Sequence, residues 1–392
     1  MARFLFVVPP LVGHVNPAVG VAAELTARGH EVAWAGHDEL LWQLAGPDAL
    51  VFACAVPRDR PERLPELKGP AALRFLWQDF LVPLADAMAP GVTAALDAFE
   101  PHVVVADQQA LAGGVLAEAR GLPWVTSATT SAELVDPLAG MPKVGDWVDG
   151  LLDGLRARIA DGRGTADPRF SPHGVLVFTT RELLGETVLP PSVRLVGPAL
   201  GARPSTVDFP WEWLDPLVPT VLVSLGTANA TAGAGFLSAT AEAFAGLTAR
   251  AVIADPAGVL GDVPPNVLVR PRVPQLPLLS RVDAVVCHAG HNTVCETLWH
   301  GLPLVVAPIR DDQPIVAAQV VAAGAGIRLR FGRADAPRIA AAVEGVLTEP
   351  AYRRAAERVA ESFHAAGGSG AAAGVLEQLA LESLAHLGLG KP

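Results

Sequence analysis

Short apolar runs alternate along the chain with segments in which apolar residues recur at helical spacing. The first run ends at Pro9 and Pro10, and its continuous apolar character is typical of a parallel strand covered on both faces. Residues 18–28 follow with helical spacing, and Gly29 is placed to end that helix. We predict a loop for the intervening residues, Gly13 to Pro17.

The same alternation continues to the end of the chain. In the first half we predict a helix at about 109–119 and strands at 31–35, 102–106 and 123–126. In the second half we predict strands at 220–224, 251–254, 267–270, 284–287, 304–307 and 327–329. Strands that alternate with helices indicate parallel sheets.

A Pro- and Gly-rich stretch at 196–205 separates the two series and indicates a domain boundary. We therefore predict an N-terminal domain over residues 1–205 and a C-terminal domain over residues 206–370. The remaining segment, 371–392, is predicted to be a helix that could pack back on the N-terminal domain.

The composition narrows the classes of function. The chain has 29 basic and 40 acidic side chains, so its net charge is −11. This argues against a nucleic-acid partner, because a phosphate backbone needs a basic surface. Three cysteines are too few for a disulfide framework, and their spacing is not that of a zinc-binding site. With no apolar run of about 18 residues and no leader pattern, we expect a cytoplasmic enzyme without stable membrane insertion.

The most informative residues lie between positions 273 and 313. His288 ends a predicted strand, and the small residues Ala289 and Gly290 would let the backbone approach a ligand. Asn292 and Thr293 then open a helix. Unpaired N–H groups and the helix dipole at such a start favour an anion.

These and other motifs resemble the family 1 nucleotide-sugar-dependent glycosyltransferases, most closely the bacterial macrolide and natural-product type. The motifs follow the family's order along essentially the whole chain: Gly-His-Val-Asn-Pro at 13–17, Val-Leu-Val-Ser-Leu-Gly-Thr at 221–227, Val-Pro-Gln at 273–275, His-Ala-Gly-His-Asn-Thr at 288–293, Gly-Leu-Pro at 301–303 and Pro-x-x-x-Asp-Gln at 308–313. The resemblance implies the α/β GT-B fold, with two Rossmann-like doubly wound parallel-sheet domains facing a central cleft. It also implies a UDP- or dTDP-hexose as co-substrate and no cofactor.

The resemblance assigns roles to individual donor-binding residues. Gln275 and the backbone of Val273 would contact the nucleobase, and Glu296 would bind the ribose hydroxyls. Asp312 and Gln313 match the pair that hydrogen-bonds the donor sugar; a carboxylate and an amide offer complementary acceptors and donors. The diphosphate would lie among Gly226, Thr227, His288, Ala289, Gly290, Asn292 and Thr293.

Three positions depart from the family's pattern. Arg272 stands where plant relatives usually have a base-stacking Trp, Ala289 replaces a usual Gly or Cys, and Val316 is often Asn in plant relatives. A guanidinium plane can also stack on a base, so the nucleobase preference stays open. Because the net charge is negative, we expect local groups to hold the diphosphate: the N–H groups of the helix start, His288 and Arg272.

In the first half, the resemblance makes His14 the general base. An imidazole can take the proton of an acceptor hydroxyl as its oxygen attacks the anomeric carbon. Asp107 follows the strand at 102–106 and would orient His14 and stabilise its imidazolium. Considered without the motifs, His14 could be a structural histidine and Asp107 a helix N-cap. The diphosphate could be stabilised without a metal, and we expect none.

Other interpretations of the sequence remain open. Phe75, Trp77, Phe80 and Trp147 could form the core or line a pocket for a hydrophobic acceptor. The residues Cys287, His288, His291, Cys295 and Glu296 could instead suggest a metal site. The whole protein could also be a non-catalytic nucleotide-sugar-binding partner of another enzyme, or a nucleotide-sugar epimerase of similar form. The acceptor, the sugar, the oligomeric state and the choice among O-, N- and C-glycosidic products do not follow from the sequence.

Overall fold

The computed structural model describes residues 1–57, 69–135, 141–201, 207–226 and 233–386. The chain divides into two units. One unit comprises Met1–Phe178, Val188–Arg203 and Ala366–Pro392, and the other comprises Thr179–Thr187 and Pro204–Ala365. The boundary inferred from the sequence, at 205/206, lies outside the described residues and stays a prediction. The C-terminal segment joins the first unit from residue 366, and residues 179–187 join the second.

The first unit contains a parallel sheet of seven strands in the order β3-β2-β1-β4-β5-β6-β7. The strands are β1 (Arg3–Val7), β2 (Glu31–Gly36), β3 (Leu50–Ala53), β4 (Val103–Asp107), β5 (Trp124–Ala128), β6 (Val175–Val177) and β7 (Val193–Leu195). Alternate residues of the central strands enter two separate apolar clusters, one on each face of the sheet. A sheet covered on both faces explains why the strands have continuous apolar runs.

The helices of the first unit cover both faces. They are α1 (Val12–Ala27), α2 (Asp38–Ala45), α3 (Gly69–Arg74), α4 (Val82–Phe99), α5 (Leu111–Ala119), α6 (Pro142–Ile159) and, at the C-terminal end of the chain, α14 (Gly368–His386). A π-helical segment, Phe75–Leu81, joins α3 to α4. One cluster contains side chains of α4, α5 and α6, and the other contains side chains of α1 and α14.

The predicted loop at Gly13 to Pro17 is wrong, because α1 begins at Val12 and includes all five residues. The first turn closes through hydrogen bonds from the N–H groups of His14 and Val15 to the Leu11 carbonyl. Gly13 and Pro17 are poor helix formers, so the sequence favours a loop. In the folded chain, the buried face of α1 and the contact made by His14 outweigh that preference.

The second unit contains a parallel sheet of six strands in the order β10-β9-β8-β11-β12-β13. The strands are β8 (Thr220–Ser224), β9 (Arg250–Ala254), β10 (Val267–Arg270), β11 (Ala284–Cys287), β12 (Leu304–Val306) and β13 (Gly326–Arg328). The helices are α7 (Arg181–Leu184), α8 (Ala234–Phe244), α9 (Gln275–Leu279), α10 (His291–Trp299), α11 (Gln313–Ala322), α12 (Ala336–Thr348) and α13 (Pro350–Ala366). Two parallel α/β sheets with helices on both faces confirm the predicted fold class.

Helix α14 packs against α1 within the first unit. Side chains just beyond the end of α1 also form hydrogen bonds with α14. The Arg28 guanidinium donates to Glu377 Oε2 at 2.8 Å and to the Gly370 carbonyl at 3.1 Å. His30 Nε2 lies 2.9 Å from Glu377 Oε1. These hydrogen bonds lower the pKa of Glu377, with the contact to His30 the largest cause.

One helical run among the described residues, Gly69–Phe99, is long and apolar enough by length and composition to cross a membrane. Half of its most apolar window is buried inside the protein, and core helices of this kind pass the same test.

Gly20 lies where α1 closely approaches α14 and the backbone of residues 199–201. A Cβ at this position would lie 2.7 Å from Ser369 Oγ of α14, 3.2 Å from the Gly201 nitrogen and 3.3 Å from the Ala199 oxygen. Backbone atoms cannot move aside as a side chain can, so we expect Gly20→Ala to lower the free energy of unfolding by about 1–3 kcal/mol. The measurement is chemical or thermal denaturation of the full chain.

Gly150→Ala provides the control for this prediction. Gly150 is an exposed residue of α6, and a Cβ added there would meet no atom of another segment within 4 Å. Its replacement should stabilise the protein by about 0.5–1 kcal/mol through helix propensity. If Gly20→Ala is as stable as Gly150→Ala, the close approach of α1 to the Ala199–Gly201 backbone is not a constraint.

Candidate active site

His14 and Asp107 meet at the carboxyl edge of the first sheet. Asp107 is the last residue of β4, which pairs with β1, and His14 lies in the first turn of the helix that follows β1. The distance from His14 Nδ1 to Asp107 Oδ1 is 2.9 Å. The Asp107 side chain is fully buried, whereas that of His14 is 16% exposed. A buried carboxylate beside a partly exposed imidazole can orient the ring and stabilise its imidazolium form.

The carboxylate of Asp107 receives a second donor from its own turn. The backbone N–H of Gln109 donates to Asp107 Oδ1 at 2.8 Å. Since an ionised carboxylate only accepts hydrogen bonds, the proton on His14 Nδ1 points toward Asp107. This tautomer leaves the lone pair of His14 on Nε2, the nitrogen that can accept a proton.

A third side chain, Thr129, joins the pair and was not identified from the sequence. Its Oγ1 lies 2.7 Å from His14 Nδ1 and 3.2 Å from Asp107 Oδ2. Thr129 immediately follows β5, the neighbour of β4, so the parallel topology brings it to the same sheet edge. In the sequence it lies three residues beyond the strand predicted at 123–126, and that position alone does not specify a contact.

In the second unit, the residues of the predicted anion site lie at the start of α10. Gly290 occupies the N-cap position and has no side chain with which to cap the first-turn N–H groups. Asn292 and Thr293 lie in that first turn, as the sequence predicts. The backbone N–H groups and the dipole at a helix start of this kind favour a negatively charged ligand.

His288 packs between two glycines at the carboxyl edge of the second sheet. A Cβ on Gly226 would lie 2.9 Å from the His288 ring, and a Cβ on Gly290 would overlap the same ring. Gly226 also has a φ of +71°, which glycine adopts without strain. Because Gly226 and Gly290 have no side chains, the His288 ring fits between them.

Burial lowers the pKa of His288 to about 4. A hydrogen bond to the Ser224 backbone partly opposes this shift. The ring is therefore neutral at pH 7. Desolvation disfavours the imidazolium form of this buried ring. The charge of the Arg310 guanidinium lies close enough to lower the pKa of His288 further.

Ala289 lies between His288 and Gly290 in a left-handed backbone conformation. Its φ is +65° and its side chain is fully buried. Such a conformation is costly for a residue with a Cβ and is normal for glycine. Ala289 thus departs from the usual Gly at a position where the backbone favours one.

The residues predicted to bind the nucleoside are also brought together. Gln275 begins α9, and its Nε2 donates to Oε2 of Glu296, on α10, at 2.6 Å. Val273 lies half-buried against the core of the unit. Arg272 is exposed, as a residue that stacks on a base must be before the ligand arrives.

Asp312 and Gln313 lie at the start of α11. Asp312 is the N-cap residue, and Gln313 is buried in the first turn. Gln313 Oε1 accepts hydrogen bonds from the backbone N–H groups of Ile309 and Arg310, at 2.9 and 3.0 Å. The Gln313 oxygen therefore shapes the loop that follows β12, and its amide NH₂ is the part that could donate to a sugar hydroxyl.

The four aromatic residues predicted from the sequence divide into two groups. Trp77 is only 2% exposed, belongs with Phe80 to the core, and has the Arg169 guanidinium 4.9 Å from its ring centroid. These two rings are core side chains in this structure. Phe75 and Trp147 lie half-buried at the margin of the same cluster, and an acceptor contact stays a prediction for them.

Two further predictions concern the loop after β8 and the residues near α10. Thr227, predicted to contact the diphosphate, lies outside the described residues. Among the described residues, no group of three His, Cys, Asp or Glu side chains is arranged to hold a metal ion. Cys295 and His291 are instead neighbours along one face of α10, with Sγ 3.5 Å from Nε2.

Comparisons with known proteins identify the family of this chain. Residues 240–379 match the family described as erythromycin biosynthesis protein CIII-like, C-terminal domain. The chain is 32% identical to 4'-demethylrebeccamycin synthase of Lentzea aerocolonigenes, over 93% of this chain and 96% of that protein.

Solved structures are similar over nearly the full chain. The glycotransferase of kitacinnamycin has a TM-score of 0.77 and 28% identity, covering 96% of this chain and 98% of that one. Spinosyn rhamnosyltransferase SpnG complexed with thymidine diphosphate has a TM-score of 0.76 and 25% identity, covering 96% and 100%. The fold and these relatives define a glycosyltransferase of the GT-B class. The chain belongs to the family 1 natural-product glycosyltransferases.

The neutral state of His288 predicts how stability depends on pH. The unfolded chain binds this proton near pH 6.5, whereas the folded chain binds it only near pH 4. Between these values the unfolded state holds more protons, so stability falls as the pH falls, by about 2–3 kcal/mol at pH 4. The measurement is denaturation at pH 7, 5.5 and 4 for the wild type and for His288→Asn, which cannot titrate.

We expect a shallower decline for His288→Asn than for the wild type. His102 and His300 also have a lowered pKa, through burial, and contribute equally to both proteins. Parallel stability curves for the two proteins would show that His288 has no depressed pKa.

Proposed function

We propose that this glycosyltransferase moves a hexose, with inversion, from a UDP- or dTDP-sugar to a hydroxyl of a hydrophobic natural product, using His14 as the general base. The observation that carries the proposal is the contact of His14 with a fully buried Asp107 at 2.9 Å. An exposed, unpaired histidine would have neither a defined tautomer nor a fixed orientation. The pair provides both.

The chemical step follows from the tautomer of His14. The acceptor hydroxyl gives its proton to Nε2 while its oxygen attacks the anomeric carbon of the sugar. As the new C–O bond forms, the bond from that carbon to the diphosphate breaks, and the nucleoside diphosphate leaves with the electron pair. Direct displacement by the acceptor inverts the anomeric centre. Asp107 stabilises the imidazolium that results.

The second unit supports the donor part of the proposal. The N–H groups at the start of α10 would stabilise the charge of the departing diphosphate. Gln275 and Glu296 would bind the nucleoside, with the carboxylate accepting from the ribose hydroxyls. The solved complex of a 25%-identical relative with thymidine diphosphate supports a thymidine nucleotide as one donor class.

The natural-product acceptor is supported by the relatives. The 32%-identical relative is named for a rebeccamycin, and the 28%-identical structure for kitacinnamycin. An apolar acceptor is consistent with the half-buried rings of Phe75 and Trp147 beside the core of the first unit. Burial of an apolar acceptor against such rings would supply binding energy in proportion to the area covered.

Replacement of the base tests the proposal. His14→Ala should lower the rate of transfer by about 100-fold or more, because general-base catalysis contributes that much. Binding of UDP and dTDP, measured by calorimetry, should stay within about twofold. Product is followed by mass spectrometry with UDP-glucose, dTDP-glucose and deoxysugar donors against a mixed acceptor panel.

A matched control is His173→Ala, at an exposed histidine of the same unit, which should behave as the wild type. Transfer by His14→Ala within a few-fold of the wild type would eliminate His14 as the base. Donor sugars that interconvert without any acceptor would indicate an epimerase instead.

We also propose that the reaction needs no metal. The α10 N–H groups offer the diphosphate fixed donors at the place where a metal-dependent enzyme would use a cation. Excess chelator should therefore leave the rate of transfer within about twofold, with the same rate after added Mg²⁺ or Mn²⁺. A rate that falls severalfold with chelator and recovers with Mg²⁺ would contradict this part of the proposal.

A further inference from the structure

The hydroxyl of Thr129 lies in the small space between the imidazole of His14 and the carboxylate of Asp107. It is 2.7 Å from His14 Nδ1 and 3.2 Å from Asp107 Oδ2, and Thr129 is only 5% exposed. Three side chains from α1, β4 and the end of β5 therefore form a closed triangle of hydrogen-bonding contacts. The triangle lies entirely within the first unit.

The directions of these hydrogen bonds follow from what each group can donate. Asp107 only accepts, so the hydroxyl proton of Thr129 goes to Asp107 Oδ2. The Thr129 oxygen is then an acceptor for the proton on His14 Nδ1, which it shares with Asp107 Oδ1. If the hydroxyl donated to Nδ1 instead, that nitrogen would face Asp107 with a lone pair at 2.9 Å, and two acceptors would oppose each other.

The hydroxyl also completes the hydrogen bonds of the buried carboxylate. Asp107 Oδ1 is held by the Gln109 N–H and by His14, at 2.8 and 2.9 Å. Oδ2 is held by Thr129. With donors on both oxygens the carboxylate cannot rotate freely about its Cβ–Cγ bond, and the plane of the imidazole is fixed with it.

We propose that Thr129 is a positioning residue of the base: it holds Asp107 and the Nδ1–H tautomer of His14 in the orientation that directs Nε2 to the acceptor hydroxyl. This inference rests on the proposed role of His14. Thr129 acts through the pair and does not itself touch the reacting atoms. Thr129 should therefore affect the chemical step and not nucleotide binding, because neither His14 nor Asp107 is assigned to the nucleotide.

The test compares two substitutions at position 129 with one at position 127, which lies two residues earlier in β5. Thr129→Val keeps the shape and removes the hydroxyl, whereas Thr129→Ser keeps the hydroxyl. The control is Ser127→Ala. Ser127 pairs with Asp107 across β4 and β5, is buried, and its Oγ has no hydrogen-bond partner among the described residues. The control thus deletes a neighbouring hydroxyl without breaking a hydrogen bond.

We expect Thr129→Val to lower kcat about tenfold, because Oδ2 of a buried carboxylate loses its donor. The KM values for donor and acceptor should stay within about twofold. Thr129→Ser and Ser127→Ala should both keep kcat within about twofold of the wild type. Adding Thr129→Val to His14→Ala should cause no further loss, since a group that acts through His14 has nothing left to position.

Each contrary result has a distinct meaning. If Thr129→Val matches Ser127→Ala in kcat while His14→Ala abolishes transfer, the base is correct and the role of Thr129 is refuted. If Thr129→Val raises both KM values, lowers the melting temperature, and is not rescued by Ser, the residue is structural and the inference is again refuted. If His14→Ala retains transfer, the proposed function fails and this inference fails with it.

Discussion

A carboxylate that is buried completely at the end of a strand must find donors within the protein. Asp107 obtains them from three directions: the N–H of Gln109 in its own turn, the imidazole of His14 and the hydroxyl of Thr129. This requirement holds the start of α1 against the carboxyl edge of the first sheet. It explains why a segment of poor helix formers is helical, and why the candidate base has one defined tautomer.

In the second unit the buried polar side chain is that of His288, and its surroundings differ from those of Asp107. His288 is kept neutral by desolvation and is enclosed by the backbones of Gly226 and Gly290. The site that we assign to a diphosphate has the backbone N–H groups of the α10 start as donors, and the charge of Arg310 is close enough to contribute to the lowered pKa of His288. A chain with a net charge of −11 can hold an anion in this manner, because the donors are local and oriented.

Much of the fold could be predicted from the sequence. The continuous apolar runs at 102–106 and 284–287 identified buried parallel strands, and both are observed as β4 and β11. Of the donor-side residues named from the family resemblance, Gln275 and Glu296 are in contact. Motifs of small and polar residues after a strand are local, so sequence reasoning finds them. The helical start at Val12 was missed because propensity favoured a loop.

What the sequence by itself determined was the alternation of strands and helices, the two series of elements and the residue types at the ends of the strands. These depend on local spacing and on the period of apolar residues. Only the tertiary structure decided that Trp77 is a core ring, that His288 is neutral, and that Thr129 contacts both His14 and Asp107 across 115 and 22 positions of sequence. Burial and long-range hydrogen bonds depend on which strands are neighbours, and that order becomes defined only when the sheet assembles.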